Sequence, residues 1–350
     1  MPRLLIGNFD FEHTLTHGGQ QSSAALRRIV AQLACTWGVA AEDGDVLWTP
    51  QPIDESFLDR LADAGLPRLR VASQTNNIPD GLTLTPWGWT QDVINVGQKL
   101  HAVVDAPPQP VVRMLNSRSF SFEQEQQCGL GLTRSARVDS LSELMTAIEP
   151  LATGIAGWVV KAEFSNSSRE RFVHRSNSPV DVEALKIWAK RRLMPGQALF
   201  IEPWVQRLDE VGVQMTIPRD GQPNIDGVTR LLVDDAGHFQ GCEFTASLDH
   251  DPLWTEARIS ALEVASVAQR MGYFGPLGID AMRYRTSGGE ERLRPLQDIN
   301  ARWTMGRLSL GLRRLLGERG TSVPRWEAGV FHVKHSHAIE LRNNEFTHRI

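Results

Sequence analysis

Two aspartates and an asparagine close to residue 290 are the first residues here whose types and spacing suggest chemistry. Segments 278–284, Gly-Ile-Asp-Ala-Met-Arg-Tyr, and 292–300, Arg-Leu-Arg-Pro-Leu-Gln-Asp-Ile-Asn, flank Gly288 and Gly289. Two such runs around a Gly-Gly pair read as an antiparallel hairpin. Asp280 lies eight or nine residues before the turn and Asp298 nine or ten after it, so the two stand nearly opposite each other. Asp298 and Asn300 are two apart, share a face, and lie within one cross-strand pair of Asp280. Carboxylates held so close raise each other's proton affinity unless a cation neutralises them. Three hard oxygen donors suit magnesium, or manganese in its place, held together with substrate phosphates. A plainer alternative stands beside this one: Asp298 caps the following loop and Asp280 faces solvent.

Other residues offer charge to the same chemistry. Just past Asn300, Arg302 stands where a guanidinium grips an anion, and Arg230 is a second candidate for an anionic carboxylate substrate. Lys161 interrupts the apolar run Gly157-Trp-Val-Val-Lys-Ala162. A lysine buried in a strand needs an anionic partner, whereas an edge-strand lysine snorkels outward. The loop Phe164-Ser-Asn-Ser-Ser168 offers hydroxyls and amides to a phosphate, or is a solvent turn.

The match at Asp280, Asp298, Asn300 and Arg302, together with the preceding Gly-Pro-Leu-Gly-Ile-Asp, resembles the ATP-grasp superfamily. Its last core strand typically reads Glu or Asp, any residue, Asn, a small residue or proline, then Arg. The resemblance runs from about residue 111 to 306. It implies that Asp280, Asp298 and Asn300 bind magnesium bridging ATP and that Arg302 steadies an acyl phosphate. It further implies that Lys161 meets the α- and β-phosphates. Arg118, in Leu115-Asn-Ser-Arg118, is similar to the basic residue that opens the grasp region, and otherwise is a surface arginine at a helix start. Phe200-Ile-Glu-Pro-Trp-Val205 resembles the hinge where Glu202, Trp204 and Val205 lie beside the adenine. Glu210, or Asp209 in its stead, falls where the family places a carboxylate on the ribose. The loop after Lys161 departs from the family in having no glycine.

The implied activity is ATP-dependent carboxylate–amine ligation through an acyl phosphate, releasing ADP and phosphate, in amino-acid, peptide or cofactor-tail synthesis. A small-molecule kinase and a non-catalytic ATP-binding regulator are the rivals. A dinucleotide enzyme is disfavoured because no Gly-x-Gly-x-x-Gly follows the first strand.

The elements that must position these residues follow from hydrophobic period. Segments 3–7, 45–48 and 69–73 read as strands, with helices over 22–37 and 54–64 between them, giving a β-α-β-α-β start to a small parallel α/β domain. A helix is expected over 90–100, and Ala106-Pro-Pro-Gln-Pro110 reads as a linker. Residues 111–115 then read as a strand, 120–127 and 139–151 as helices, 157–162 and 198–205 as strands, and 181–193 as a helix. Turn signals at Asp220-Gly221 and 235–237 give segment 211–244 an antiparallel look, and a helix over 255–271 precedes the hairpin. The fold class expected is α/β, α+β in the grasp lobes. It comprises a pre-grasp domain over 1–110, an N-terminal grasp lobe over 111–205, a C-terminal lobe over 206–316, and a polar tail over 317–350.

Composition sets outer limits. The chain has 350 residues, 41% of them hydrophobic, and a formal net charge of −4. That length buries a large core, and the charge supplies no basic field for nucleic acid. The expected partners are small-molecule carboxylates and amines, with no nucleic acid and no membrane, and a homodimer is compatible. Cys35, Cys128 and Cys242 are odd in number and widely spaced, which argues for a reducing cytoplasm rather than a disulfide framework. The opening Met-Pro-Arg-Leu-Leu-Ile-Gly is too short an apolar run for a signal peptide or anchor. His332, His335 and His337 read as solvent-exposed rather than as a zinc site, and Gly18 to Ser23 as a ligand loop or a flexible one.

Overall fold

The computed structural model describes residues 1–18, 23–50, 52–63, 66–73, 78–151, 156–164, 170–176, 179–193, 196–316, 325–327, 330–333 and 337–340. The first unit comprises β1 (Arg3–Ile6), α1 (Phe11–His17), α2 (Ala24–Leu33), β2 (Val46–Trp48), α3 (Glu55–Asp63), β3 (Arg70–Ala72), β4 (Thr83–Pro86) and α4 (Gln91–Lys99). Its strands form a parallel sheet in the order β3-β2-β1-β4, with Leu4 between Val46 and Leu84. Near-continuous apolar strands buried by helical crossovers are what parallel pairing requires. The expected helix over 22–37 stops at Leu33 and tightens into a 3-10 segment, Ala34–Ala40, which buries Trp37 completely. Its run Cys-Thr-Trp-Gly-Val consists of weak helix formers. The strand β4 is an addition, its alternating threonines masking it in the sequence.

The second unit comprises α5 (Gln109–Leu115), α6 (Arg118–Cys128), β5 (Ala136–Val138), α7 (Leu141–Ile148), β6 (Gly157–Ala162), β7 (Arg171–Arg175), α8 (Val182–Lys190) and β8 (Leu199–Pro203). The strand expected at residues 111–115 is helical. Pro108 caps α5 and Pro110 sits in its first turn, where a missing N–H is harmless, while Val112 and Leu115 bury at a spacing of three. The sheet runs β5-β8-β6-β7, antiparallel throughout, and encloses its own core around Trp158, Val160, Leu185 and Leu199.

The third unit comprises β9 (Gln206–Ile217), β10 (Asn224–Val233), β11 (Phe239–Glu243), α9 (Thr255–Arg270), β12 (Gly275–Arg285), β13 (Glu291–Asn300) and α10 (Met305–Leu316). Three short strands, β14 (Arg325–Glu327), β15 (Val330–Val333) and β16 (His337–Glu340), extend its antiparallel sheet, so the expected tail is partly ordered sheet. Strand order is β13-β12-β9-β10-β11-β14-β15-β16. The helix α10 was not expected. One hydrophobic core joins the first and third units, from Leu4 and Trp37 to Ile279 and Leu308. The chain is therefore mixed α/β, with one parallel and two antiparallel sheets. Among the described residues no helix is long and apolar enough to cross a membrane.

Candidate functional site

The hairpin β12–β13 places Asp280 directly opposite Asp298, and Gly278 opposite Asn300. Its register shifts between Asp280 and Met282, so one strand bulges beside the carboxylates. On the other side Asp280 pairs with Gly212 of β9, where an added Cβ would stand 2.7 Å from Gln214 Nε2 and 3.5 Å from Asp280 Oδ1. Glycine therefore keeps this face open. Asn300 Nδ2 lies 3.4 Å from Asp280 Oδ2, and among the described residues it is the hydrogen-bond partner of that carboxylate. Burial, then the nearby Asp298 and Glu210 charges, push Asp280 up to about 8, against the pull of Arg302 and Asn300. Removal from water beside like charge favours the neutral acid.

Arg302 is held on three sides. It forms an ion pair with Glu12 of α1 at 2.5 Å, donates to the Trp303 carbonyl at 2.8 Å, and donates to Asn300 Oδ1 at 2.9 Å. The loop that carries it is itself fixed, since Ala301 N donates to Asn116 Oδ1 at 3.0 Å and Trp303 N to the Trp87 carbonyl at 2.9 Å. Thr304 Oγ1 donates to the buried Gln214 at 2.6 Å. Arg118, at the start of α6, reaches Asp298 at 3.4 Å and donates to the Ala162 carbonyl at 3.3 Å. Glu163 secures that helix start by accepting from Ser119 N at 2.9 Å and Ser119 Oγ at 3.0 Å.

Behind Arg118 lies a buried network. Lys161 Nζ meets Glu202 Oε2 at 2.6 Å, and Arg294 bridges Glu202, at 3.1 Å twice, to Glu125, at 2.6 and 2.7 Å. Burial alone would raise Glu202, but the Arg294 and Lys161 charges outweigh it and hold it well below the usual carboxylate range. Burial lowers Lys161, with Arg118 and Arg294 adding to the shift and Glu202 opposing it. The lysine thus has a carboxylate partner within the protein.

One cleft of about 350 Å³ collects Arg118, Lys161, Glu202, Trp204, Val205, Glu210, Asp280, Asp298, Asn300 and Arg302. That volume lies within the ~300–1,000 Å³ span of small-molecule pockets. Glu210 forms an ion pair with Arg207, and Gln297, whose buried Oε1 has no hydrogen-bond partner among the described residues, belongs to the same lining. Arg230 is not brought there: it pairs with Asp209 at 3.0 Å and Glu243 at 3.6 Å, so both it and Asp209, the alternative ribose carboxylate, serve sheet ion pairs. The loop 165–168, His335 and residues 19–22 lie outside the described residues. Glu12, Glu125, Arg207, Gln214 and Arg294 are additions that no motif in the sequence marked.

Across the mouth, β7 meets the turn between β10 and β11. Arg175 donates to the Asp235 carbonyl at 2.9 Å and Arg171 donates to that of Ala236, while the Arg175 guanidinium stands 3.8 Å from the Trp204 ring centroid. Burial pushes the Cys35 and Cys242 thiols up to about 12, so neither is a ready nucleophile. Among the described residues no group of three or more His, Cys, Asp or Glu could hold a metal by itself. Two carboxylates and an amide leave the remaining ligand positions of a hard cation to a substrate or water.

No family model and no curated protein matches the chain. Among solved structures it is similar to an N5-carboxyaminoimidazole ribonucleotide synthetase, purK, in its ADP complex, at 16% identity and TM-score 0.49, over 81% of this chain and 74% of that one. The Thermus thermophilus synthetase of the same name matches at 14% identity and TM-score 0.49, over 92% of this chain and 80% of that one. The biotin carboxylase domain of Hydrogenobacter thermophilus 2-oxoglutarate carboxylase, with MgADP and bicarbonate, matches at 12% identity and TM-score 0.46, over 77% and 58%. The chemistry that follows rests on the residues of the cleft.

Proposed function

We propose that this chain is an ATP-dependent carboxylate–amine ligase of the ATP-grasp type, forming an amide and releasing ADP and phosphate. The observation that carries the reading is Asp280: a carboxylate pushed up to about 8, directly opposite Asp298, in a cleft shared with Lys161 and Arg118. Two facing acids, one of them sharing Arg118, beside cations suited to phosphate, match the donor set of a metal–nucleotide site.

Asp280, Asp298 and Asn300 would hold magnesium, which when bound neutralises charge on the nucleotide phosphates. Lys161 and Arg118 would take the phosphate oxygens. Trp204 and Val205, at the crossing from β8 to β9, would meet the adenine, and Glu210 the ribose hydroxyls. Glu202 stands behind them as the partner that keeps Lys161 charged and aimed. Arg302, fixed by Glu12 and Asn300, would orient the acceptor carboxylate. Its oxygen attacks the terminal phosphorus as the bond to ADP breaks. An amine nitrogen then attacks the acyl carbon, phosphate leaves, and the amine gives up its proton. The protein contributes position, fixed charge and exclusion of water rather than a covalent intermediate.

The test is incubation with ATP, magnesium and a panel of carboxylates and amines. ADP and phosphate should appear only when both acceptors are present, with a product one water lighter than their sum. ADP with a stable phosphorylated product and no amide would point to a kinase. Nucleotide binding without turnover across the whole panel would remove the ligase.

A further inference from the structure

The cleft has a charged wall and an apolar wall. From the first hundred residues it is lined by Phe9, Glu12, Leu26, Ile29, Leu33 and Trp87, five apolar side chains and one acid. No lysine or arginine from that part of the chain is among the described lining residues. Leu26, Ile29 and Leu33 recur at spacings of three and four along α2, so they share one face of it. All three are half-buried, and Leu26 and Ile29 stand outside both hydrophobic cores. That stretch of helix presents its apolar surface to the cleft.

The wall is continuous with Arg302. Phe9 and Trp87 pack with ring centroids 4.5 Å apart and planes tilted by 43°, and the Arg302 guanidinium stands 5.6 Å from the centre of Trp87. Each terminal nitrogen of Arg302 carries two N–H groups and commits one to the bonds with Trp303 and Asn300, leaving a second for a ligand. Glu12, paired with Arg302, adds negative charge at the foot of the apolar wall.

We propose that the acceptor is a monocarboxylate with an apolar body, branched aliphatic or aromatic, and not a phosphorylated or dicarboxylic acid. This rests on the ligase reading, because Arg302 belongs to that site. The single carboxylate meets Arg302, and the body lies along Leu26, Ile29 and Leu33 toward Phe9 and Trp87. A second anionic group placed over Leu26, Ile29 and Leu33 loses its hydration and is repelled by Glu12, and Arg27 and Arg28 of α2 are not among the described residues that line the cleft. Covering a leucine-sized apolar group favours the matching acid by about 10- to 100-fold in affinity.

The experiment measures tryptophan fluorescence and titration calorimetry on the full chain, with 4-methylpentanoate and 3-phenylpropanoate set against succinate and glycerol 3-phosphate. The apolar acids should bind at least about 10-fold tighter. Ile29→Asp should erase that preference while leaving the ADP affinity unchanged, and Leu26→Ser is the milder variant if Ile29→Asp fails to fold. Equal or tighter binding of the dianions, no binding of the apolar acids, or a preference indifferent to both substitutions overturns the proposal. Failure of magnesium ADP to bind the wild-type chain removes the ligase reading instead, and the acid series still decides what the apolar wall accepts.

Discussion

Two charged regions border one cleft and are built on opposite terms. In the network of Lys161, Glu202, Arg294 and Glu125, two cations and two anions neutralise one another through bonds of 2.6 to 3.1 Å. In the hairpin corner, Asp298 shares Arg118 at 3.4 Å, Glu210 has Arg207, and among the described residues Asp280 has an amide as its hydrogen-bond partner. The first region holds β6, β8, β13 and α6 together and aims a lysine. The second keeps a carboxyl that its surroundings hold toward the neutral form, where on the proposed reading a metal–nucleotide complex would sit. Density of charged groups does not distinguish the two; how completely each acid is matched by a cation does.

The largest effect expected from breaking this contrast is on the closed network. Arg294→Met leaves Glu125 and Glu202 buried without their shared cation, and stability to urea should fall by about 3–5 kcal/mol. Adding Glu125→Gln should recover part of it. A loss under ~1 kcal/mol would mean that the network does not hold the lobes together.

In the open corner the sign of the stability change reverses. Asp298→Asn removes one of two facing charges and keeps an oxygen for Arg118, so the metal-free protein should melt no lower than wild type while ATP turnover falls about 10²–10³-fold. Asn300→Ala should lose turnover similarly. Undiminished ADP formation in both variants would sink the metal assignment.

The corner was legible in sequence and the network was not, for a physical reason. Asp280, Asp298 and Asn300 are set by a strand period of two and a Gly-Gly turn, both local, and the register found places the two aspartates opposite each other. Arg294 and Glu125 are 169 residues apart. Nothing in Arg292-Leu-Arg-Pro marks the second arginine as 2% exposed and the first as solvent-facing. Glu12 escaped notice because its helix, α1, spans only 7 residues. Arg230 was picked out by charge type alone, and its carboxylates come from neighbouring strands that the sequence does not align. The reading of residues 111–115 as a strand failed on the paired prolines that start a helix there.

A smaller effect separates the two regions by pH. Asp280 rises from an ordinary carboxylate value to about 8, so its neutral form is favoured on folding. Its contribution is full below the unfolded value near 3.8 and is lost as pH rises toward 8. Glu202 is shifted down, so its contribution is present above the unfolded value and is lost as pH falls through the folded one. Metal-free protein should therefore melt lower at pH 8 than at pH 6, Asp280→Asn should flatten that slope, and magnesium ADP should reverse it. A slope unchanged in Asp280→Asn would assign it to another group.

The smallest effect lies at the mouth, where neither rule applies. Arg175 there donates to a carbonyl and lies over the face of Trp204. Arg175→Ala should cost about 0.5–1 kcal/mol, the worth of an exposed cation–π contact. Arg171 keeps its own bond to the same turn, so the lobes should stay joined. What should change is access. If the β7 contact with the turn gates the cleft, stopped-flow mixing with a fluorescent ATP analogue should show faster entry and faster release, with little change in their ratio. A change in affinity at unaltered entry rate would instead place Arg175 among the groups that touch the nucleotide.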